Sequence, residues 1–421
     1  MPTSPSAPRR MSRRTAVRAG AAGILATTST VLSAPPSGLA ARQSATPAAD
    51  PGEAIIGIAE DAMDEMDLRA VLLRVTVDGE EIVHGALGES LTGQPATPDM
   101  HIRNGAVAIT YVSTALLRLV DDGVLALDDT IGAWLPDLPD ADRVTPRMLA
   151  NMTAGYPDYV PNPSFSQAFY ADPFRSWTPE ELIEFSLSTP RAFAPGENWD
   201  YSHTNYAILG LVLEAATGEP LDLLLRSLVL NPLGLANTAS EETAWMPEPI
   251  LHAYSSERRE VLGIPEGTPF YEESTFWNPS WTLARGAVQY TTVADMATSF
   301  EAIGSGELLS ETSYGELTST ALLGFGEPLE GCPACHTLDN AYLYGLGIIL
   351  SGGWLMQNPL FGGYASTVAY QPDARIAIAV ATTFEEESFT EDGSYRFGKS
   401  GQAIATRIGQ LLHPSSPPLL G

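Results

Sequence analysis

An apolar helix with a well-defined end lies between Ile102 and Asp129. Its apolar and small side chains recur at helical spacing, at Val107, Thr110, Tyr111, Thr114, Leu117 and Val120. The sequence Asp121-Asp122-Gly123 follows, and glycine is typical of the position just past a helix end. We therefore predict a buried helix here, around which the rest of the chain is organised.

The residues of this helix resemble the serine β-lactamase and penicillin-binding-protein superfamily, in particular its class C and DD-peptidase-like esterase branch. That family begins the helix with Ser-Val-Thr-Lys, where this chain has Ala106-Val107-Ala108-Ile109. The resemblance implies that Ala106 stands at the position of the nucleophilic serine and Ile109 at that of the catalytic lysine.

A second resemblance covers Phe193–Thr238, where the family reads Phe-Pro-Pro-Gly, then Tyr-Ser-Asn, and ends in Pro-Leu-Gly. By this resemblance Tyr201 matches the tyrosine that moves protons during acyl transfer, and Ser202 matches the middle residue. His203 replaces the asparagine that contacts the substrate amide. Each residue also has an ordinary structural interpretation, as a buried tyrosine or a hydrogen-bonded core histidine.

The third family motif, His-x-Gly or Lys-Thr-Gly, belongs on the strand before Gly362-Gly363. This chain has Gln357-Asn358-Pro359 there, with neither a cation nor an imidazole, and the proline removes a backbone donor from the expected strand. Lys399-Ser400-Gly401 has a similar form but lies at the start of the predicted last helix, so we interpret it as a false match.

In the family, the serine attacks an acyl carbonyl while lysine and tyrosine take its proton. Lys399 is the only lysine of this chain, so no Ser-x-x-Lys pair exists in any alignment. The resemblance therefore predicts a member that has lost acyl-transfer chemistry. It would bind a cell-wall peptide, a small acyl-amide or a protein partner through the former active-site cleft. The alternative is a working esterase or peptidase with a rearranged mechanism that uses Tyr201 and His203.

Cys332-Pro333-Ala334-Cys335-His336 lies outside the family resemblance. Its form is that of c-type haem attachment, and a redox-active pair is a further alternative. A small local disulfide between Cys332 and Cys335 is the interpretation that we favour, because export leads to an oxidising compartment. We expect no cofactor, and no histidine spacing in the chain indicates a metal site.

Residues 1–49 have the layout of a twin-arginine export signal and linker, with Arg13-Arg14 ahead of a mildly apolar segment. The domain itself is then predicted to span residues 50–421, and the protein to be exported or secreted. The whole chain carries a formal charge of −29, which disfavours nucleic acid and anionic lipid as partners. The apolar segment is too short and too rich in small residues to predict membrane insertion.

The resemblance implies an α/β fold of the β-lactamase/DD-peptidase type, with an antiparallel five-stranded sheet flanked by helices and an inserted helical subdomain. The patterns predict a first helix over 55–66, a hairpin at Asp78-Gly79, a helix capped by Thr178, strands over 342–350, 364–370 and 375–382, and a last helix over 402–412. Residues 241–280 show little periodicity and are predicted to form a long excursion over the pocket.

Overall fold

A computed structural model describes residues 50–240, 243–265 and 267–420, and the predicted export signal at 1–49 lies outside them. The ten α-helices of the described residues are α1 (Pro51–Met66), α2 (Val107–Asp121), α3 (Pro146–Ala150), α4 (Pro163–Ala171), α5 (Pro179–Leu187), α6 (His203–Thr217), α7 (Leu221–Leu225), α8 (Val293–Gly304), α9 (Glu311–Leu317) and α10 (Ser400–Leu412). The strands are β1 (Leu68–Val77), β2 (Glu80–Leu91), β3 (Gln94–Pro95), β4 (Ile102–Arg103), β5 (Tyr254–Ser255), β6 (Glu272–Glu273), β7 (Tyr290–Thr291), β8 (Leu343–Tyr344), β9 (Ile349–Ser351), β10 (Trp354–Gln357), β11 (Leu360–Phe361), β12 (Tyr364–Gln371) and β13 (Ile376–Phe384).

The central sheet is antiparallel and runs in the order β3, β2, β1, β13, β12, β10, β9, β8, with β11 beside β12. Its nine strands exceed the predicted five, because the edges carry strands of two or three residues. The five strands that are four residues or longer are β1, β2, β10, β12 and β13, which form the middle of the sheet. The hairpin at Asp78-Gly79 is confirmed, with a positive φ at both turn residues.

Helices cover both faces of this sheet. Thr382 lies opposite Val71 in the register of β13 and β1, and its hydroxyl is 2.7 Å from that of Ser400 at the start of α10. Arg74 lies three residues beyond Val71, so it faces the opposite side, where its guanidinium donates to the Ala294 carbonyl of α8. Strand β13 is consequently buried along its whole length.

The predicted strand over 342–350 is wrong in one respect, because the chain forms two short strands there, β8 and β9. They are separated by a turn in which Gly347 has a φ of +73°, and a Cβ at Gly347 would lie 2.3 Å from the Ser113 hydroxyl. Glycine at this position lets the turn approach α2 closely.

The helical subdomain is built around α6, which packs against α2, α3 and α5. The predicted capping box is present at Thr178 and Glu181. Close to the capping box lies a separate hydrophobic cluster, formed by five aromatic side chains and one leucine: Tyr159, Phe165, Phe169, Trp177, Leu182 and Trp277. In its described residues, the predicted excursion over 241–280 contains the short pair β5 and β6 and the start of a 3₁₀-helix at Pro279–Trp281, and it brings Trp277 into the cluster. Among the described residues, no helix is long and apolar enough to cross a membrane.

Candidate functional site

The start of α2 carries no nucleophile and no base. Ala106 is the N-cap residue of α2 and makes no side-chain cap bond, and its side chain is partly exposed. Ile109, one turn further on, is completely buried in the main core. At the positions where the family has a serine and a lysine, α2 therefore carries a methyl group and a buried aliphatic side chain.

Strand β10 ends within the third motif, next to the proline that is predicted to remove a backbone donor from this strand. Strand β10 stops at Gln357, and Pro359 packs on Gly105, where a Cβ would lie 2.6 Å from the Cβ of the proline. Gln357 is buried and donates through Nε2 to the Gly347 carbonyl, which also accepts from the Thr110 hydroxyl. This motif thus joins β10, the Gly347 turn and α2 by neutral hydrogen bonds instead of presenting a cation.

Asn358 points to a different part of the fold from Gln357. Its Nδ2 donates to the Gln402 side chain of α10, at 2.6 Å. Within the third motif, Pro359 therefore lies against Gly105 just before α2, whereas Asn358 is bonded to α10.

Tyr201 lies between two other rings just before α6. Its ring centroid is 5.3 Å from that of His203 and 6.3 Å from that of Tyr344, both edge-on. Burial, with Tyr342 and the Asp158 carboxylate nearby, raises the pKa of Tyr201 well above its usual range. Tyr201 is therefore a hydrogen-bond donor at neutral pH and is unsuited to accept a proton.

His203 is held by an aspartate that the sequence patterns did not single out. Its Nδ1 lies 3.0 Å from Asp158 Oδ2, and its backbone N–H donates to Asp158 Oδ1 at 3.2 Å. The two side chains are 21% and 14% exposed, so the pair is largely but not completely shielded from water. With the proton on Nδ1, Asp158 orients the ring and leaves Nε2 as the acceptor.

A row of aromatic rings continues from His203 to β11. Trp281 lies 6.3 Å from His203 between ring centroids, and it stacks on Phe361 of β11 at 5.8 Å with an interplanar angle of 10°. The Tyr159 hydroxyl donates to the Trp281 carbonyl and fixes this residue at the end of the excursion. We use the term motif cleft for the place where the resemblance expects the pocket, and we define it by Ala106, Tyr201, His203, Trp281 and Pro359.

Ser202 is the N-cap residue of α6, and its buried hydroxyl has no hydrogen-bond partner among the described residues. The structure thus brings together Tyr201 and His203, as the motif predicts, while Ser202 points into the protein interior. Asp158 is 45 residues from His203 in the chain, so their pairing cannot be recognised from sequence spacing.

Cys332 and Cys335 form a disulfide, so neither Sγ is free for a thioether bond to haem. The Nδ1 of His336 lies 2.8 Å from the Ala334 carbonyl, and its ring packs on Trp199 at 4.9 Å. Within the described residues, the one group of side chains spaced as metal ligands is Asp200 with these two cysteines, and their sulfurs are bonded to each other.

A cavity of about 840 Å³ lies in the helical subdomain between α5, α6, α7 and residues 278–288. Charged side chains of both signs line it, namely Glu180, Glu214, Glu219, Asp222, Arg226 and Arg285. None of the residues of the three motifs lines this cavity. The motif cleft and this cavity are therefore different places on the molecule.

The chain belongs to the beta-lactamase family, whose model matches residues 55–398. It is 28% identical to the esterase EstB of Burkholderia gladioli over 270 residues, which are 58% of this chain and 68% of that protein. It is 22% identical to a penicillin-binding protein of Bacillus subtilis over 320 residues, or 74% of this chain and 67% of that protein.

Solved structures show the same fold. The D-amino acid amidase of Ochrobactrum anthropi SV3, in complex with L-phenylalanine amide, superposes with a TM-score of 0.70 at 24% identity and covers 87% of this chain and 99% of that chain. The D-stereospecific amidohydrolase of a Streptomyces species has a TM-score of 0.67 at 24% identity, and the match covers 83% of this chain and 96% of that chain. These matches confirm the predicted β-lactamase/DD-peptidase-like fold.

Proposed function

We propose that this protein is an exported, catalytically degenerate member of the beta-lactamase family, and that it binds a short cell-wall peptide or a related acyl-amide in the motif cleft. The observation that carries the proposal is the pair Ala106 and Ile109 at the start of α2. An acyl-enzyme requires a nucleophile, and a methyl group offers none.

The rest of the cleft supports this proposal. A lysine at position 109 would need acceptors around its ammonium group, yet Ala106, one turn earlier, offers only a methyl group, and Ile109 is fully buried. The side chain of Gln357 is neutral and donates its hydrogen bond to the Gly347 carbonyl, so the third motif contributes no positive charge. Tyr201 keeps its proton at neutral pH and cannot replace the missing base.

The class of ligand follows from the groups that the cleft still presents. Tyr201 can donate one hydrogen bond, His203 can accept one at Nε2, and Trp281 offers an apolar face. An amide has both a carbonyl acceptor and an N–H donor, and the D-amino acid amidase of similar fold forms a complex with L-phenylalanine amide. A peptide-like ligand of modest size matches these groups.

Calorimetric titration with D-phenylalanine amide and with an acylated D-alanyl-D-alanine peptide tests the proposal. We expect binding without turnover, and about fivefold weaker binding by Tyr201→Phe, which removes one hydrogen bond of about 1 kcal/mol. Tyr314→Phe is the matched control, because it also removes one hydroxyl but that hydroxyl bonds the Gly304 carbonyl beside the sheet. Equal affinities in the parent and Tyr201→Phe, or no binding of either probe, would contradict the assignment of the ligand, and a protein partner would then be the remaining occupant.

The Asp158–His203 pair favours a second candidate, a hydrolase with a rearranged mechanism. In it, His203 Nε2 would take a proton from water, Asp158 would stabilise the imidazolium, and Tyr201 would donate to the leaving group. Turnover of an ester panel by the parent, lost in His203→Gln but kept in His413→Gln at the end of α10, would establish this candidate. Absence of turnover in the parent supports the degenerate assignment instead.

A further inference from the structure

The disulfide lies in the loop between α9 and β8, next to an exposed proline. Cys332 is 6% exposed and Cys335 is 5% exposed, and Pro333 between them is exposed to solvent. The backbone turns tightly here, with the Cys335 N–H donating to the Cys332 carbonyl. The two sulfurs are therefore buried, and the exposed residue between them in sequence is Pro333.

A carboxyl group lies beside the disulfide. One oxygen of Asp200 and the two Sγ atoms all lie within 4.8 Å of one another. Burial, together with the Asp158 carboxylate, raises the pKa of Asp200 to about 7. At this pKa a carboxyl group can both give and take a proton near neutral pH.

The loop also holds the segment that leads to Tyr201. Asn198 donates to the Glu327 carbonyl and accepts from the Glu327 N–H, both at 2.9 Å, and Trp199 packs against His336 and Tyr342. These contacts do not involve the cysteines, so we expect them to hold the loop in place when the covalent bond between the cysteines is opened. Reduction is thus compatible with a folded protein.

We propose that Cys332 and Cys335 form a reversible thiol–disulfide exchange site for an external dithiol, with Asp200 as the proton donor and acceptor. A thiolate of the dithiol attacks one Sγ, which forms a mixed disulfide and breaks the Cys332–Cys335 bond. The departing Sγ takes the proton of the Asp200 carboxyl. The second thiol of the dithiol then loses its proton to the Asp200 carboxylate or to solvent and attacks the mixed disulfide.

This second attack releases the remaining protein cysteine as a thiolate, which is protonated in turn. The dithiol is oxidised to a disulfide, and the protein gains two electrons and two protons. The site does not depend on the ligand of the motif cleft.

The test is reduction of the full-length folded protein by dithiothreitol without denaturant, followed by alkylation and intact-mass analysis. We expect two alkylated thiols to appear while the circular dichroism and tryptophan fluorescence stay those of the folded protein. Asp200→Asn should slow the reduction by about 10²-fold, the low end for a positioned proton donor. Glu330→Gln is the matched control, because it removes a carboxylate from the exposed part of the same loop and should leave the rate unchanged.

A disulfide with only a structural role would behave differently. Its thiols would appear only at urea concentrations that unfold the protein, and this result for the parent would overturn the proposal whether or not the variants fold. Equal reduction rates in the parent, Asp200→Asn and Glu330→Gln would overturn the role of Asp200.

Discussion

Replacement of Asp200 by asparagine should change how the stability of the protein depends on pH. The carboxyl group of Asp200 lies in a partly buried position beside Asp158, and these two causes raise its pKa from 3.8 to about 7 in the folded state. Below about pH 4 the group is protonated in both the folded and the unfolded chain, so it contributes nothing to the pH dependence. Between about pH 4 and 7 only the unfolded chain loses the proton, so rising pH favours unfolding.

The magnitude follows from the size of the shift. Each pKa unit corresponds to about 1.4 kcal/mol of unfolding free energy. The raised pKa of Asp200 therefore lowers the stability of the parent by about 4 kcal/mol at most, and this loss is complete above pH 7, where both states are ionised. Because the carboxyl is not fully shielded from water, we expect about 2–4 kcal/mol. The asparagine of Asp200→Asn cannot ionise, so the free energy of unfolding of this variant should not show this decrease with rising pH.

Urea denaturation at several values between pH 4 and pH 8 measures this effect. The free energy of unfolding of Asp200→Asn relative to the parent should rise by about 2–4 kcal/mol across the range. Glu330→Gln, at an exposed position, serves as the control for the loss of one negative charge. If the difference between Asp200→Asn and the parent is the same at pH 4 and at pH 8, then the carboxyl is not held in its neutral form and the description of its surroundings is wrong.

Three further outcomes are expected. Ile109→Lys places an ammonium group at a fully buried position and should lower the free energy of unfolding in urea melts by about 2–4 kcal/mol. The double variant with Ala106→Ser should be about 1 kcal/mol more stable than the sum of the two single effects predicts. Equal stability of Ile109→Lys and the parent would show that water reaches this position. Trp281→Ala removes a half-buried ring that stacks on Phe361 and should destabilise the protein by about 2 kcal/mol, which thermal melts would detect. Replacing Arg13 and Arg14 by lysine should retain the full-length chain inside the producing cell, and unchanged export on fractionation would contradict the predicted signal.

The fold was predictable because its elements carry strong local signals. The apolar period of α2, the Asp78-Gly79 turn and the capping box at Thr178 each act over a few residues, and the structure contains all three. The number of strands was not predictable in the same way. Edge strands of two or three residues depend on glycine turns such as that at Gly347, whose position is set by contact with α2 and not by its neighbours in sequence.

The site was predictable only in part. The resemblance places Tyr201 and His203 side by side, and the structure brings their rings together. The pairing of His203 with Asp158, and of Asp200 with the disulfide, joins residues that are 45 and more than 130 positions apart. Such pairs are created by tertiary packing, and no periodicity or motif in the chain indicates them.

The central claim is that no acyl-enzyme forms on this chain, and intact-mass analysis after incubation with a penicillin and with a fluorophosphonate tests it most directly. We predict an unchanged mass, because the side chain at the start of α2 is the methyl group of Ala106. The Ala106→Ser variant, treated in parallel, shows whether a hydroxyl at this position is acylated without a lysine at position 109. A stoichiometric adduct on the parent protein that maps to any residue of the motif cleft would contradict the claim and identify a substitute nucleophile.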